Sequence, residues 1–112
     1  MVTTQTGKTA ELLVADRLKQ KGYKILAQNW RTKVCEIDII AQKDHVIYLV
    51  EVKYRKSSYQ GDGFEYITQA KLKKLNFACQ VWSQKHNWAG DIRLIGASVD
   101  GPTNKISLVE IN

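Results

Sequence analysis

Apolar residues recur at three- and four-residue spacing through Ala10, Leu13, Val14 and Leu18. That spacing predicts a helix from about Thr6 to Lys21, closed by Gly22. Met1 to Gln5 reads as a polar, mobile lead. Tyr23–Trp30, Val34–Ala41 and Val46–Tyr54 read as strands, the first two joined by the basic turn Arg31-Thr32-Lys33. Arg55 to Gly63 lacks apolar spacing and reads as a flexible loop. A long helix is expected over Phe64–Lys85, with an apolar stripe that includes Ile67, Leu75, Ala78 and Trp82. Asp91–Val99 and Lys105–Ile111 read as strands around the turn Asp100-Gly101-Pro102-Thr103-Asn104. The expected order is α-β-β-β-α-β-β: an α/β fold with a mixed sheet flanked by helices. Val46–Tyr54 is apolar on both faces, which makes it the central strand.

Three charges break these apolar runs. Asp38 lies in the second strand, and Glu51 and Lys53 lie in the third. A charged side chain in such a run is costly unless it is paired or binds a metal. Side chains alternate along a strand, so Glu51 and Lys53 share a face, as do Glu36 and Asp38. A tight hairpin at Asp44-His45 would pair position 43 with 46 and place Asp38 opposite Glu51. A shifted register would place Glu36 there instead, and Lys43-Asp44-His45 is not a strong turn sequence. Like charges directly opposite destabilise a sheet. A divalent cation between them removes that cost, and Mg²⁺ takes one or two carboxylates with water and phosphate oxygens. The plainer alternative is a solvated charge network. Ile47 and Leu49, on the same face, argue against full solvation.

The chain of 112 residues is one domain by size, and its 44% hydrophobic content is enough for a core. Its net charge of +6 suits a polyanionic partner and, equally, a solvated basic surface. Glu11 borders the apolar stripe of the first helix and points at the sheet, or else is an acid favoured by the helix dipole. Lys71, between Ile67 and Leu75, either reaches a phosphate or snorkels at the stripe edge. Lys73 and Lys74 face solvent and can meet backbone phosphate, and Gln69 is a surface residue. Tyr54, Arg55, Lys56, Tyr59 and Tyr66 mix aromatic and basic character around the loop. Trp30, Trp82 and Trp88 read as core residues. Cys35, Cys79, His45 and His86 lack zinc-ligand spacing, and both thiols are expected to be reduced. No signal peptide or membrane-length apolar run is visible, so a cytoplasmic protein is expected.

With these residues in place, the chain resembles the PD-(D/E)XK nuclease superfamily and, more narrowly, the YraN-like family of small predicted endonucleases, themselves similar to Holliday-junction resolvases. The matching stretches are Glu11 with Ala15, Gly22 to Leu26, Asn29-Trp30-Arg31, Glu36-Ile37-Asp38-Ile39-Ile40-Ala41 and Leu49 to Arg55. Weaker matches fall at Lys71 and Asp91. The resemblance implies a restriction-endonuclease-like α-β-β-β-α-β core across the single domain 1–112. It implies catalytic Asp38, Glu51 and Lys53, with Glu11 as the helix-borne carboxylate. It also implies that the Val52 carbonyl completes a metal shell with Asp38 and Glu51. Cys35 and Ala10 stand where the family usually has glycine. Neither removes a ligand, but a larger residue at 35 could narrow close approach of a substrate.

The reading that follows is a Mg²⁺- or Mn²⁺-dependent endonuclease acting on DNA, branched or structured DNA included. Arg31, Lys33, Arg55, Lys56, Lys71 and Lys74 are its expected nucleic-acid contacts. A homodimer is expected by likeness to resolvases, and a membrane is not an expected partner. The alternatives are a non-catalytic nucleic-acid-binding module on the same scaffold and a protein-interaction subunit using a sheet edge or the second helix.

Overall fold

The computed structural model describes residues 2–56 and 67–111, with the backbone alone for residues 2–7. Its elements are α1 (Val2–Gln20), β1 (Lys24–Arg31), β2 (Glu36–Lys43), β3 (Val46–Arg55), α2 (Gln69–His86), β4 (Asp91–Asp100) and β5 (Ile106–Ile111). The strands form one sheet in the order β1-β2-β3-β4-β5. β3 and β4 are parallel, and the other neighbours are antiparallel. The expected element order, the mixed sheet and the central place of β3 all hold.

Each face of the sheet carries one helix. Ala10, Val14, Ala15 and Leu18 of α1 pack on Ile39, Val50, Ile95, Ala97 and Val99. Leu75, Ala78 and Trp82 of α2 pack on Ile37, Ile40, Ile47, Leu49 and Leu94. Alternation along β3 sends Leu49 to one core and Val50 to the other. Trp82 is buried, and Trp30 and Trp88 pack beside it, so the tryptophans are core residues as expected.

Several boundaries differ from expectation for local reasons. α1 begins at Val2, ahead of Thr6. Its end is a Schellman motif: the Tyr23 N–H bonds the Leu18 carbonyl at 2.9 Å and the Gly22 N–H the Lys19 carbonyl at 3.0 Å. Gly22 takes φ +93°, which a side chain would strain. β2 begins at Glu36, two residues late, because the Thr32 hydroxyl accepts the N–H groups of Val34 and Cys35 and folds them into a turn. α2 begins at Gln69, after the extended N-cap Thr68, whose hydroxyl accepts the Lys71 N–H. Ile67 therefore precedes the helix rather than contributing to its stripe. Phe64, Tyr59, Tyr66 and most of the expected loop lie outside the described residues.

At the β2–β3 turn, Asp44 and His45 have φ of 52° and 64°. Two consecutive left-handed residues match the twist of the strands, which is what a two-residue hairpin requires. Lys43 holds this hairpin against the end of α1 by donating to the Lys21 carbonyl at 2.7 Å.

Gly101 sits at a tight point of the β4–β5 turn. A Cβ there would meet the Arg55 carbonyl at 2.8 Å and the Tyr54 hydroxyl closer still. Gly101→Ala is expected to cost about 1–3 kcal/mol in urea unfolding, because backbone must move to admit the methyl. A loss below about 0.5 kcal/mol would show that the turn is slack.

Candidate functional site

The β2–β3 ladder begins where expected, with Lys43 opposite Val46, and runs to Ile39 opposite Val50. Continued by one step, this register sets Asp38 against Glu51 and rules out Glu36 as the partner. The backbones part at that step. The Val52 N–H, turned toward β2, donates to Asp38 Oδ2 at 2.8 Å instead of to a backbone carbonyl. Ile37 and Ile40 both pack in the α2-side core, while Ile39 packs in the α1-side core. Regular alternation would put Ile37 with Ile39, so β2 changes face at Asp38. The site is the fork that this change opens.

Acids from both sides of the sheet meet at the fork. Glu51 is 8% exposed and continues the face of Ile47 and Leu49. Its carboxyl hydrogen-bonds to Asp38, and Lys71 of α2 forms an ion pair with it. Glu11 comes from α1 and reaches Asp38 and Asn29. Burial pushes the Glu51 carboxyl up to about 7, and the Asp38 hydrogen bond adds to this while Lys71 pulls back. Burial also raises Glu11, helped by the charge of Asp38 and opposed by Asn29 and Arg31. Three linked carboxyl groups cannot all ionise at low cost, so the cluster is relieved by a proton or by a cation. Gly96 of β4 stands directly beside Glu51 and brings no side chain into the space.

The sequence-derived candidates divide into groups. Glu11, Asp38 and Glu51 come together. Lys53 follows Glu51 at the next same-face position and is exposed. Val52 contributes its N–H to Asp38 while its side chain packs on the α1-side core. Arg31, Lys33, Lys71 and Lys74 line one cleft of about 400 Å³ between the β1–β2 turn and α2. Arg55 and Lys56, at the far end of β3, do not line it. Lys71 is joined to Glu51, which neither expectation for that residue included. Glu36 pairs with Arg31 at 3.4 Å on the surface. Gln69, Lys73 and Lys74 are exposed as expected.

Sequence reasoning gives no role to Asn29, which sits at φ 52° in β1 and bonds Glu11. A lone Asn in a strand is a weak signal for such a left-handed position. It also passes over Phe77, 47% exposed on the wall of the cleft. Both cysteines are free, as expected. Burial pushes the Cys79 thiol up to about 11, the mark of an inert core thiol. Among the described residues, no group of three His, Cys, Asp or Glu side chains is placed to hold a metal ion. No described helix is long and apolar enough to cross a membrane.

Fold and site together define a mixed-sheet α/β protein with a carboxylate cluster at a strand fork beside a basic cleft. The chain belongs to UPF0102, an uncharacterised protein family whose model matches residues 10–109 and which is the YraN-like family expected above. A UPF0102 protein of Vibrio parahaemolyticus is 45% identical over 78 residues, 70% of this chain and 64% of that one. One from Renibacterium salmoninarum is 36% identical over 85% of this chain and 81% of its own. One from Cytophaga hutchinsonii is 34% identical over 96% and 95%.

Proposed function

We propose that this protein is a metal-dependent endonuclease of the PD-(D/E)XK type that hydrolyses phosphodiester bonds in DNA. The observation that carries the reading is the meeting of Glu11, Asp38 and Glu51 at one fork, with Lys53 two residues on along β3 and the basic cleft adjoining. A binding surface for phosphate gains nothing from buried acids, whereas phosphodiester hydrolysis needs them. The resemblance of Glu36-Ile37-Asp38 and Glu51-Val52-Lys53 to the nuclease motifs points the same way.

The chemistry of the donors, rather than their present placement, suits Mg²⁺ or Mn²⁺. The donor set is all oxygen, and the acids are crowded enough that a cation would relieve them. Asp38 and Glu51 would hold the ion with the Val52 carbonyl, two carboxylates being the usual number for Mg²⁺. When bound, the ion supplies Lewis-acid stabilisation of charge on the phosphoryl oxygens. Lys53 orients the attacking water and offsets charge on the phosphate. Glu11, linked through Asp38, holds that water from the α1 side. Lys71, Lys74, Arg31 and Lys33 position the strand by its phosphates.

Cleavage of single-stranded, flap and four-way-junction DNA with Mg²⁺ or Mn²⁺ tests the reading. Lys53→Ala is expected to lower cleavage by about 10²–10³-fold with little change in DNA binding. If parent and Lys53→Ala give the same background on every substrate, the enzyme reading fails. Salt-sensitive DNA binding without calorimetric Mn²⁺ binding would then identify a non-catalytic module.

A further inference from the structure

We propose that the cleft between the β1–β2 turn and α2 binds an unpaired segment of a nucleic-acid strand, with Phe77 as the platform for a base. The proposal rests on the nuclease reading for its direction, since the cleft leads to the carboxylates through Lys71. Its own support is the make-up of the walls. Lys71, Lys74 and Phe77 follow one another at three-residue spacing along one flank of α2. Arg31, Lys33 and Val34 face them from the turn. The acid in the lining, Glu36, is already paired with Arg31, so the cleft remains basic.

The apolar residues decide between a duplex and a single strand. Phe77 is 47% exposed and Val34 65% exposed, and both line the cleft among the cations. A duplex keeps its bases stacked inside and would offer these side chains only phosphate and sugar. An unpaired base offers a π-face to a phenyl ring whatever its identity. The volume, about 400 Å³, is that of a small-ligand site, on the scale of one nucleotide and far below a duplex. Lys71 ties the two regions together, because it lines the cleft and also pairs with Glu51. A phosphate held by Lys74 and Lys71 would lie next to the candidate metal ligands.

Fluorescence anisotropy of the full chain in EDTA, where nothing is cleaved, tests this with labelled oligothymidylate and a duplex of equal length. The single strand is expected to bind at least about tenfold more tightly. Phe77→Ala should weaken single-strand binding about tenfold and leave duplex binding unchanged, while Phe77→Tyr retains the parent affinity. Lys74→Ala should reduce the salt dependence of single-strand binding by roughly one phosphate contact. Phe77 and Lys74 are exposed, so neither substitution threatens the fold, and circular dichroism checks this. Equal binding of duplex and single strand, indifference to Phe77→Ala, or equal affinity for a polyglutamate peptide would overturn the proposal. Metal-dependent cleavage lost in Lys53→Ala would still stand after such a result. Conversely, single-strand binding without cleavage would sink the enzyme reading alone.

Discussion

At pH 8 and without divalent cations, Glu51→Gln is expected to be more stable than the parent by roughly 3 kcal/mol. At pH 4.5 the two proteins should converge. The folded chain holds the Glu51 proton up to about pH 7, whereas an ordinary glutamate releases it near 4.5. Between those values the folded state binds more protons than the unfolded state, so stability falls as pH rises. The contribution is fully present below about 4.5, is lost through about 7, and changes little beyond. Gln keeps the shape and hydrogen-bonding capacity without the charge. It leaves Lys71 without that carboxylate, but the lysine side chain is 40% exposed and stays hydrated. Glu11, raised in the same direction, is common to both proteins. Urea unfolding across this range supplies the check. A stability difference that does not vary with pH would show that Glu51 titrates normally.

Much of this site was legible because strands are locally regular. Ile47 and Leu49 put Glu51 on an apolar face, and a turn at Asp44-His45 sets Asp38 opposite it, from alternation and counting alone. That turn was a weak expectation, since Asp and His are less common than Asn-Gly in left-handed positions, yet it formed. What counting could not reach depends on competition for one backbone group. Once the Asp38 carboxylate takes the Val52 N–H, β2 leaves the ladder and crosses faces, and Glu11 of the opposite helix gains access. No periodicity encodes that choice. The Lys71–Glu51 pair is illegible for a related reason. It depends on where α2 packs along the sheet, and α2 starts only at Gln69, after the Thr68 N-cap. The basic cleft follows from the same placement, because it puts Lys71 and Lys74 opposite Arg31 and Lys33.

Asp38 should separate structural from chemical roles. Asp38→Ala removes the acceptor of the Val52 N–H, a bond of 2.8 Å between parting strands. At pH 5, where the Glu51 carboxyl is largely protonated, this should cost about 1–3 kcal/mol, the cost of an unsatisfied backbone donor. At pH 8 the loss should be smaller, because removing Asp38 also removes a negative charge and hydrogen-bond partner that help keep Glu51 protonated. Asp38→Asn keeps an oxygen that can accept from Val52 and should recover most of the stability at pH 5. It should not recover cleavage, which under the proposed mechanism falls by about 10²–10³-fold in both variants once one anionic ligand is gone. Calorimetry with Mn²⁺ should show weakened binding in both. An Asp38→Asn protein that cleaves like the parent would remove Asp38 from the metal set and leave it a strand-fork acceptor. A protein that folds, binds DNA and fails only in cleavage would place the chemistry at the fork itself.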